Sequence, residues 1–176
     1  MDYAGSQTEV YLNNAFNAEA RAYVLYRLYA EEARREGDFT AGQLFDNTAR
    51  NELAHARLWF ELLHDGMPGT EENLLTAAES ERFETTQMYN LYADAARAEG
   101  FDSAAALFDL VAATEKTHEQ AYEKRRGELL NGTERRRPQP ADWICQNCGH
   151  HHQGEAAPEI CPVCRLGSGY FRAAEG

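Results

Sequence analysis

The chain has 176 residues, enough for one medium domain or for a larger domain with a small appendage. With 43% hydrophobic and 26% charged residues it has globular composition, which excludes disorder as its main state. Seventeen basic and 29 acidic residues leave a net charge of −12, a surface that repels phosphate backbones and anionic membranes, so no nucleic-acid or membrane partner is expected. No run approaches about 18 uncharged apolar residues, and the opening Met1-Asp2-Tyr3-Ala4-Gly5 has neither a basic nor an apolar leader segment. The expected location is the cytoplasm.

Glycine and proline punctuate the chain at Gly37, at Gly66-Met67-Pro68-Gly69, at Gly100 and at Gly132. The segments between them are rich in Ala, Leu, Glu and Arg without internal proline, which predicts helices near 6–36, 38–65, 70–99 and 102–131. Residues 133–140, with Arg135-Arg136-Arg137 and two prolines, read as a solvated linker. From Ala141 the composition changes to Cys, Gly, His and Pro. The expected domains are 1–132, helical; 133–140, linker; and 141–176, a small separate module.

The helical part repeats. A shift of 63 residues places Leu28-Tyr29-Ala30 on Leu91-Tyr92-Ala93, Gly37 on Gly100, Leu44-Phe45-Asp46 on Leu107-Phe108-Asp109, and Glu52 and His55 on Glu115 and His118. Fifteen of the 30 positions between 26 and 55 are identical to their counterparts, far beyond chance. Two copies of a helical hairpin, and so a four-helix arrangement with pseudo-twofold symmetry, are expected.

The apolar seam of each predicted helix, followed in steps of three and four, is interrupted near its midpoint by glutamate. The interruptions are Glu19 in the first, Glu52 and His55 in the second, Glu81 and Glu84 in the third, and Glu115 and His118 in the fourth. At about 1.5 Å rise per residue from the hairpin turns at Gly37 and Gly100, these groups fall within roughly 6 Å of one level. A lone helix glutamate ordinarily faces water. The same exception on four seams at one depth predicts a shared buried layer instead. Five carboxylates there need positive charge, and no lysine or arginine occupies the layer, whereas two divalent cations would nearly balance it. Glu52-Leu53-Ala54-His55 and Glu115-Lys116-Thr117-His118 put a carboxylate and an imidazole one turn apart, so both can grip one ion. Oxygen-dominated ligation with two imidazoles suits iron or manganese better than zinc or copper.

The four cysteines form two Cys-x-x-Cys pairs, Cys145/Cys148 and Cys161/Cys164. In a reducing compartment they read as a tetrahedral thiolate metal site rather than disulfides. Such a site holds structural zinc, or a single iron that moves one electron. Trp143, Tyr170 and Phe171 are expected to fill the small core around it. His150-His151-His152 reads as an exposed loop rather than a ligand set.

Together these residues resemble the rubrerythrin family, a ferritin-like di-iron four-helix bundle joined to a C-terminal rubredoxin-like domain. The resemblance rests on Glu19-Ala-Arg, Glu52-x-x-His55, Glu81-x-x-Glu84 with Met88-Tyr89, and Glu115-x-x-His118. In the tail it rests on Trp143-x-Cys145-x-x-Cys148-Gly149 and Ala157-Pro158-Glu159-x-Cys161-Pro162-x-Cys164, closed by Tyr170-Phe171. It implies a mainly α fold, two non-haem irons in a carboxylate-bridged site and one iron held by the four cysteines. Glu52 and Glu115 would bridge the irons, with Glu19 terminal on one iron and Glu81 and His118 on the other. The first iron would exchange His55, when reduced, for Glu84, when oxidised. Tyr26 and Tyr89 match family tyrosines near the site, where they would bond ligand carboxylates or simply fill the core.

Two features depart from the pattern. His150 stands where an aromatic is expected after Cys-Gly. The link from Asp65 to Thr70 is also short: it reaches at most about 20 Å, against about 42 Å for the length of the adjoining helix. An end-to-end crossover within one chain is then impossible, so either the bundle is up-down-up-down or its hairpins pair between chains. The resemblance favours exchange and a domain-swapped homodimer. The implied activity is reduction of hydrogen peroxide to water. Electrons would pass through the cysteine-bound iron from an NAD(P)H-dependent reductase or a rubredoxin, and Glu84, Tyr26 and Tyr89 are the candidate catalytic residues. The alternatives are a ferroxidase or iron-handling protein using dioxygen, and a zinc-stabilised binding module without turnover.

Overall fold

A computed structural model describes residues 3–174. The chain divides into two compact units, Met1–Pro68 and Gly69–Gly176. Among the described residues, no helix is long and apolar enough to cross a membrane.

The first unit is a helical hairpin, α1 (Gln7–Arg35) and α2 (Phe39–Leu63). The Ser6 hydroxyl starts α1 by accepting the Glu9 N–H at 3.1 Å, which satisfies a backbone donor that the helix cannot. The turn is set by Gly37, whose φ of 89° is open to glycine and strained for other residues. The Asp38 N–H then reaches back to the Ala33 carbonyl at 2.8 Å, and the Asp38 carboxylate caps α2 by accepting the Ala41 N–H at 2.8 Å. Small residues line the contact between the helices. Ala30 and Ala49 have no exposed surface, and a methyl on Gly42 would sit 3.2 Å from the Ala30 carbonyl oxygen. Nearer the turn, Tyr26, Tyr29 and Phe45 form an aromatic cluster. Arg27 and Arg34 both bond Asp46 there.

The second unit repeats this plan with α3 (Thr70–Phe83), α4 (Tyr89–Ala98) and α5 (Asp102–Leu130). Gly100 (φ 83°) makes the turn and Ala93, Ala105 and Ala112 line the contact. Tyr89, Tyr92 and Phe108 form the aromatic cluster, and Arg97 bonds Asp109. The third helix is not the uninterrupted α-helix expected over 70–99. Glu84–Met88 form a π-helical turn between α3 and α4, in which the Tyr89 N–H donates to the Glu84 carbonyl.

The small module is a three-stranded antiparallel sheet in the order β2-β1-β3, with β1 Arg136–Cys145, β2 His151–Ala156 and β3 Phe171–Ala173. Residues 136–140, expected within the linker, therefore belong to a strand. Pro138 and Pro140 fall where the β1–β2 register shifts, between Arg136 and Ala141, since proline has no N–H to give to a ladder. Trp143, Cys145, Cys161 and Phe171 are the buried core. The Trp143 indole N–H donates to the Gly154 carbonyl at 2.9 Å, and the Arg137 guanidinium lies over its ring.

Candidate metal centres

The cysteine site is built from two backbone knuckles of the same design. The Cys145 N–H donates to the His150 carbonyl at 2.9 Å, and the Cys161 N–H to the Leu166 carbonyl at 2.8 Å. Gly149 (φ 74°) and Arg165 (φ 65°) make the corresponding left-handed turns. The sulfur atoms of Cys145 and Cys164 lie 3.7 Å apart, and those of Cys148 and Cys161 3.6 Å apart. A disulfide needs about 2.05 Å, while bonds of about 2.3 Å to a central ion put tetrahedral sulfurs about 3.8 Å apart. The four sulfurs thus fit a single tetrahedral ion, iron or zinc.

Electrostatics at the thiols follow from the knuckles. A backbone N–H at Leu166 lowers Cys164 to about 6. Cys148 also receives a backbone N–H, at His150, but desolvation and the hydrogen bonds its own S–H gives to the sulfurs of Cys145, Cys164 and Cys161 outweigh it and push Cys148 up to about 12. At position 150, where an aromatic side chain was expected, the main chain carries the contacts with the knuckle. His151 pairs with Asp142 at 2.7 Å, and His152 faces Trp143 across the ladder.

The carboxylates and imidazoles form two clusters, one per hairpin. Glu19, Glu52 and His55 offer ligand atoms that all lie within 4.8 Å of one another, and so do Glu81, Glu115 and His118. His55 Nδ1 is 3.0 Å from Glu52 and 3.9 Å from Glu19; His118 Nδ1 is 2.5 Å from Glu115 and 3.9 Å from Glu81. Donors sharing one ion with bonds of about 2.1 Å are separated by at most about 4.2 Å, so these pairs can close on a cation with little movement. The glutamates are largely covered, with side chains 16–29% exposed, but both imidazoles are 50% exposed, more open than the buried layer expected from the seams.

Without cations, like charges oppose one another. Partial burial raises Glu19 above the ordinary carboxylate range, and a hydrogen bond shared with Glu52 and repulsion from it add to the shift. Burial likewise raises Glu81, followed by Glu115 and Glu84. Two carboxylates sharing a proton are what a bound cation would replace. The donor set therefore fits two divalent ions of oxygen-seeking character.

Glu84 lies on the π turn, outside the ligand clusters, yet near enough to raise both Glu81 and Tyr89. Tyr89 is raised first by burial and then by Glu84, Glu115 and Glu81, which puts its phenol beside the second cluster. Tyr26 packs its ring on Tyr29 and Phe45. Among the described residues, no hydrogen bond joins either phenol to a ligand carboxylate. Arg82 and Glu119, each one residue beyond a ligand, form a charged pair behind the second cluster that the seams do not single out. Glu119 is buried, and takes bonds from Arg82 and from Lys116 at 2.7 and 2.6 Å.

The π turn explains how the two clusters match. Tyr26 and Tyr89 are repeat partners, but Glu19 precedes Tyr26 by seven residues and Glu81 precedes Tyr89 by eight. One extra residue in an α-helix would rotate Glu81 by about 100° off its face. The wide turn absorbs it, so Glu81 meets His118 at the same 3.9 Å as Glu19 meets His55. The Thr86 hydroxyl donates to the Arg82 carbonyl at 2.7 Å, occupying an acceptor of the interrupted ladder. The spacing of seven against eight was the signal in the sequence.

Comparison with known proteins agrees. The family model described as Rubrerythrin matches residues 11–125, and the one described as Rubrerythrin, rubredoxin-like domain, matches residues 143–172. Rubrerythrin-1 of Clostridium acetobutylicum is 34% identical, covering 95% of this chain and 94% of its own length. Rubrerythrin of Porphyromonas gingivalis is 34% identical (95% and 90% covered), and that of Nitratidesulfovibrio vulgaris 32% (95% and 94%).

Proposed function

The chain belongs to the rubrerythrin family, with its ferritin-like fold, and from that premise we propose that it is a non-haem di-iron peroxidase that reduces hydrogen peroxide to water. Family members are oxidoreductases, generally related to oxidative stress, that carry a di-iron site and a four-cysteine iron site and work with electron donors such as rubredoxin. The observation that carries the proposal is the pair of matched Glu, Glu, His clusters in the same chain as a preformed four-sulfur site.

Glu52 and Glu115 would hold two irons in common, Glu19 and Glu81 would hold one each, and His118 would complete the second. His55 and Glu84 would be the alternative ligands of the first. Iron held by these residues would supply the two electrons that cleavage of the peroxide O–O bond requires. The remaining work falls to side chains. Glu84, on a turn with looser backbone bonding than an α-helix, can move, and its carboxylate is the group proposed to hold and deliver a proton. Tyr89 lies beside Glu84, Glu81 and Glu115, and its phenol would bond one of those carboxylates once they close on the ions. Tyr26 has the corresponding place in the other hairpin. Cys145, Cys148, Cys161 and Cys164 hold the ion through which electrons return singly, supplied by a rubredoxin or an NAD(P)H-dependent reductase in the cytoplasm.

The six residues 64–69 between α2 and α3 are too few to span a helix end to end, which supports hairpin exchange in a domain-swapped homodimer. Light scattering that found a monomer with full iron content would remove this part of the proposal. For the activity, the anaerobically reduced protein is mixed with peroxide and, separately, with dioxygen. Oxidation much faster with peroxide is expected; oxidation faster with dioxygen would point to a ferroxidase. A colourless protein with zinc in the cysteines and no turnover would reject both.

A further inference from the structure

One polar group beside the first cluster has no use in the scheme above. Trp59 follows His55 by four residues and Glu52 by seven, so it lies on the ligand face of α2, one turn beyond His55. Its indole Nε1 has no solvent-accessible surface and no aligned hydrogen-bond acceptor. An indole N–H can only donate, so burial without an acceptor is unfavourable unless another state of the protein provides one. The carboxylate that the indole acts on is Glu19, on the opposite helix. The Trp59 N–H draws Glu19 towards its ionised form, though without closing a hydrogen bond, while Glu52 holds Glu19 in a shared hydrogen bond. The counterpart in the second hairpin is Tyr122, whose ring is 36% exposed and has no such buried donor.

Resting on the di-metal reading of this site, we infer that Trp59 is a positioning residue for Glu19. When a cation replaces the hydrogen bond between Glu19 and Glu52, the carboxylate of Glu19 turns one oxygen to the ion and gives the other to the Trp59 N–H. The indole then fixes which oxygen binds and how the carboxylate is aimed, and it raises metal affinity at one of the two positions only. Outer partners of this kind are typically worth about 10- to 100-fold in metal affinity. The lower end is expected here, because a single neutral donor is involved.

The test is ferrous-ion binding to the full chain under anaerobic conditions by chelator competition, with thermal unfolding of the metal-free protein alongside. Trp59→Phe keeps the ring and loses the N–H. It is expected to weaken one of two ferrous ions about 10-fold, leave the other unchanged, and not lower the metal-free unfolding midpoint, since an unpaired donor has been removed. Trp59→Tyr, which restores a donor, should recover part of the affinity. In a Glu19→Ala background Trp59→Phe should have no further effect. Unchanged affinity in Trp59→Phe, or the same loss in the Glu19→Ala background, would overturn the inference and leave Trp59 as packing. If the parent chain bound no metal at these carboxylates, the reading beneath the inference would fail first, and the inference with it.

Discussion

The two hairpins are copies at the metal face and strangers behind it. Both present Glu, Glu and His with the same spacing between glutamate and imidazole, and both build their turns and aromatic clusters from repeat-related residues. Behind the first cluster, Ala56 is buried, and Phe16, Leu53, Phe60 and Met67, flanked by Arg50 and Arg57, line a mainly apolar cleft of about 620 Å³. At the places of Ala56, Leu53 and Phe60 the second hairpin has Glu119, Lys116 and Glu123, all three bonded in one network through Arg82 and Glu119. Ligand geometry has thus been held constant while its support changed from packing to ion pairing. A metal site needs its donors fixed, and either kind of backing can fix them.

The largest effect should come from forcing one hairpin to accept the other's residue. Ala56→Glu would bury a carboxylate where Leu53 stands in place of Lys116 and the nearby Arg50 and Arg57 are already engaged by Asn47 and Glu61, at a cost of about 3 kcal/mol in unfolding free energy. Denaturant unfolding of the metal-free protein would measure it; a neutral result would mean that the apolar backing is not close-packed. Next in size, deleting Thr86 removes the residue by which the second hairpin exceeds the first. The π turn should revert to α-helix with little loss of far-ultraviolet circular dichroism. Bound iron should fall by about half, because Glu81 or Glu84 must leave its place. Full iron content in this variant would show that the turn is dispensable.

A smaller effect separates the ligand carboxylates from their supports. Glu19 and Glu81 are raised in the metal-free fold, so their contribution favours the folded state at low pH and is lost as pH rises through their shifted values. Glu119 is lowered by the bonds from Lys116 and Arg82, so its contribution is present above the ordinary carboxylate range and is lost on acidification. Thermal unfolding of the stripped protein between about pH 4.5 and 7.5 should therefore become more favourable to the fold at the upper end in Glu19→Gln/Glu81→Gln than in the parent. Restoring metal to the parent should reverse the sign, since ions bind the ionised forms. The smallest effect belongs to the cysteine module. Arg165 holds a φ of 65° that its knuckle counterpart Gly149 adopts freely, and Arg165→Gly should stabilise the loaded module by about 0.5–1 kcal/mol.

How much of this was legible depends on the scale of the signal. Helices expected near 6–36, 38–65 and 102–131 from glycine stops and apolar periodicity, which local chemistry enforces, are found over Gln7–Arg35, Phe39–Leu63 and Asp102–Leu130. The four cysteines declared themselves by spacing, and the sulfur geometry adds the near-tetrahedral distances. The π turn was missed because Glu81, Glu84, Met88 and Leu91 still step by three and four. Only measuring both copies from their tyrosines exposes the added residue. Strand residues 136–140 were hidden because two prolines ordinarily mark a break, and here they occupy the irregular stretch of a ladder. The Glu119 network could not be read from either helix alone, as its partners are 37 and 3 residues away along the chain. Trp59 steps by four from His55 along the apolar seam of α2, and a sequence does not say whether an indole nitrogen has found an acceptor.

The unequal thiols of the cysteine knuckles carry one last consequence. With Cys148 pushed up to about 12 and Cys164 lowered to about 6, neutral pH keeps a hydrogen ion on the first thiol and leaves the second mostly ionised. Every ion the module captures must evict the hydrogen ions that remain, so loading the module is an acid-releasing reaction. Its yield of acid in weakly buffered solution would count how many sulfurs were still protonated beforehand.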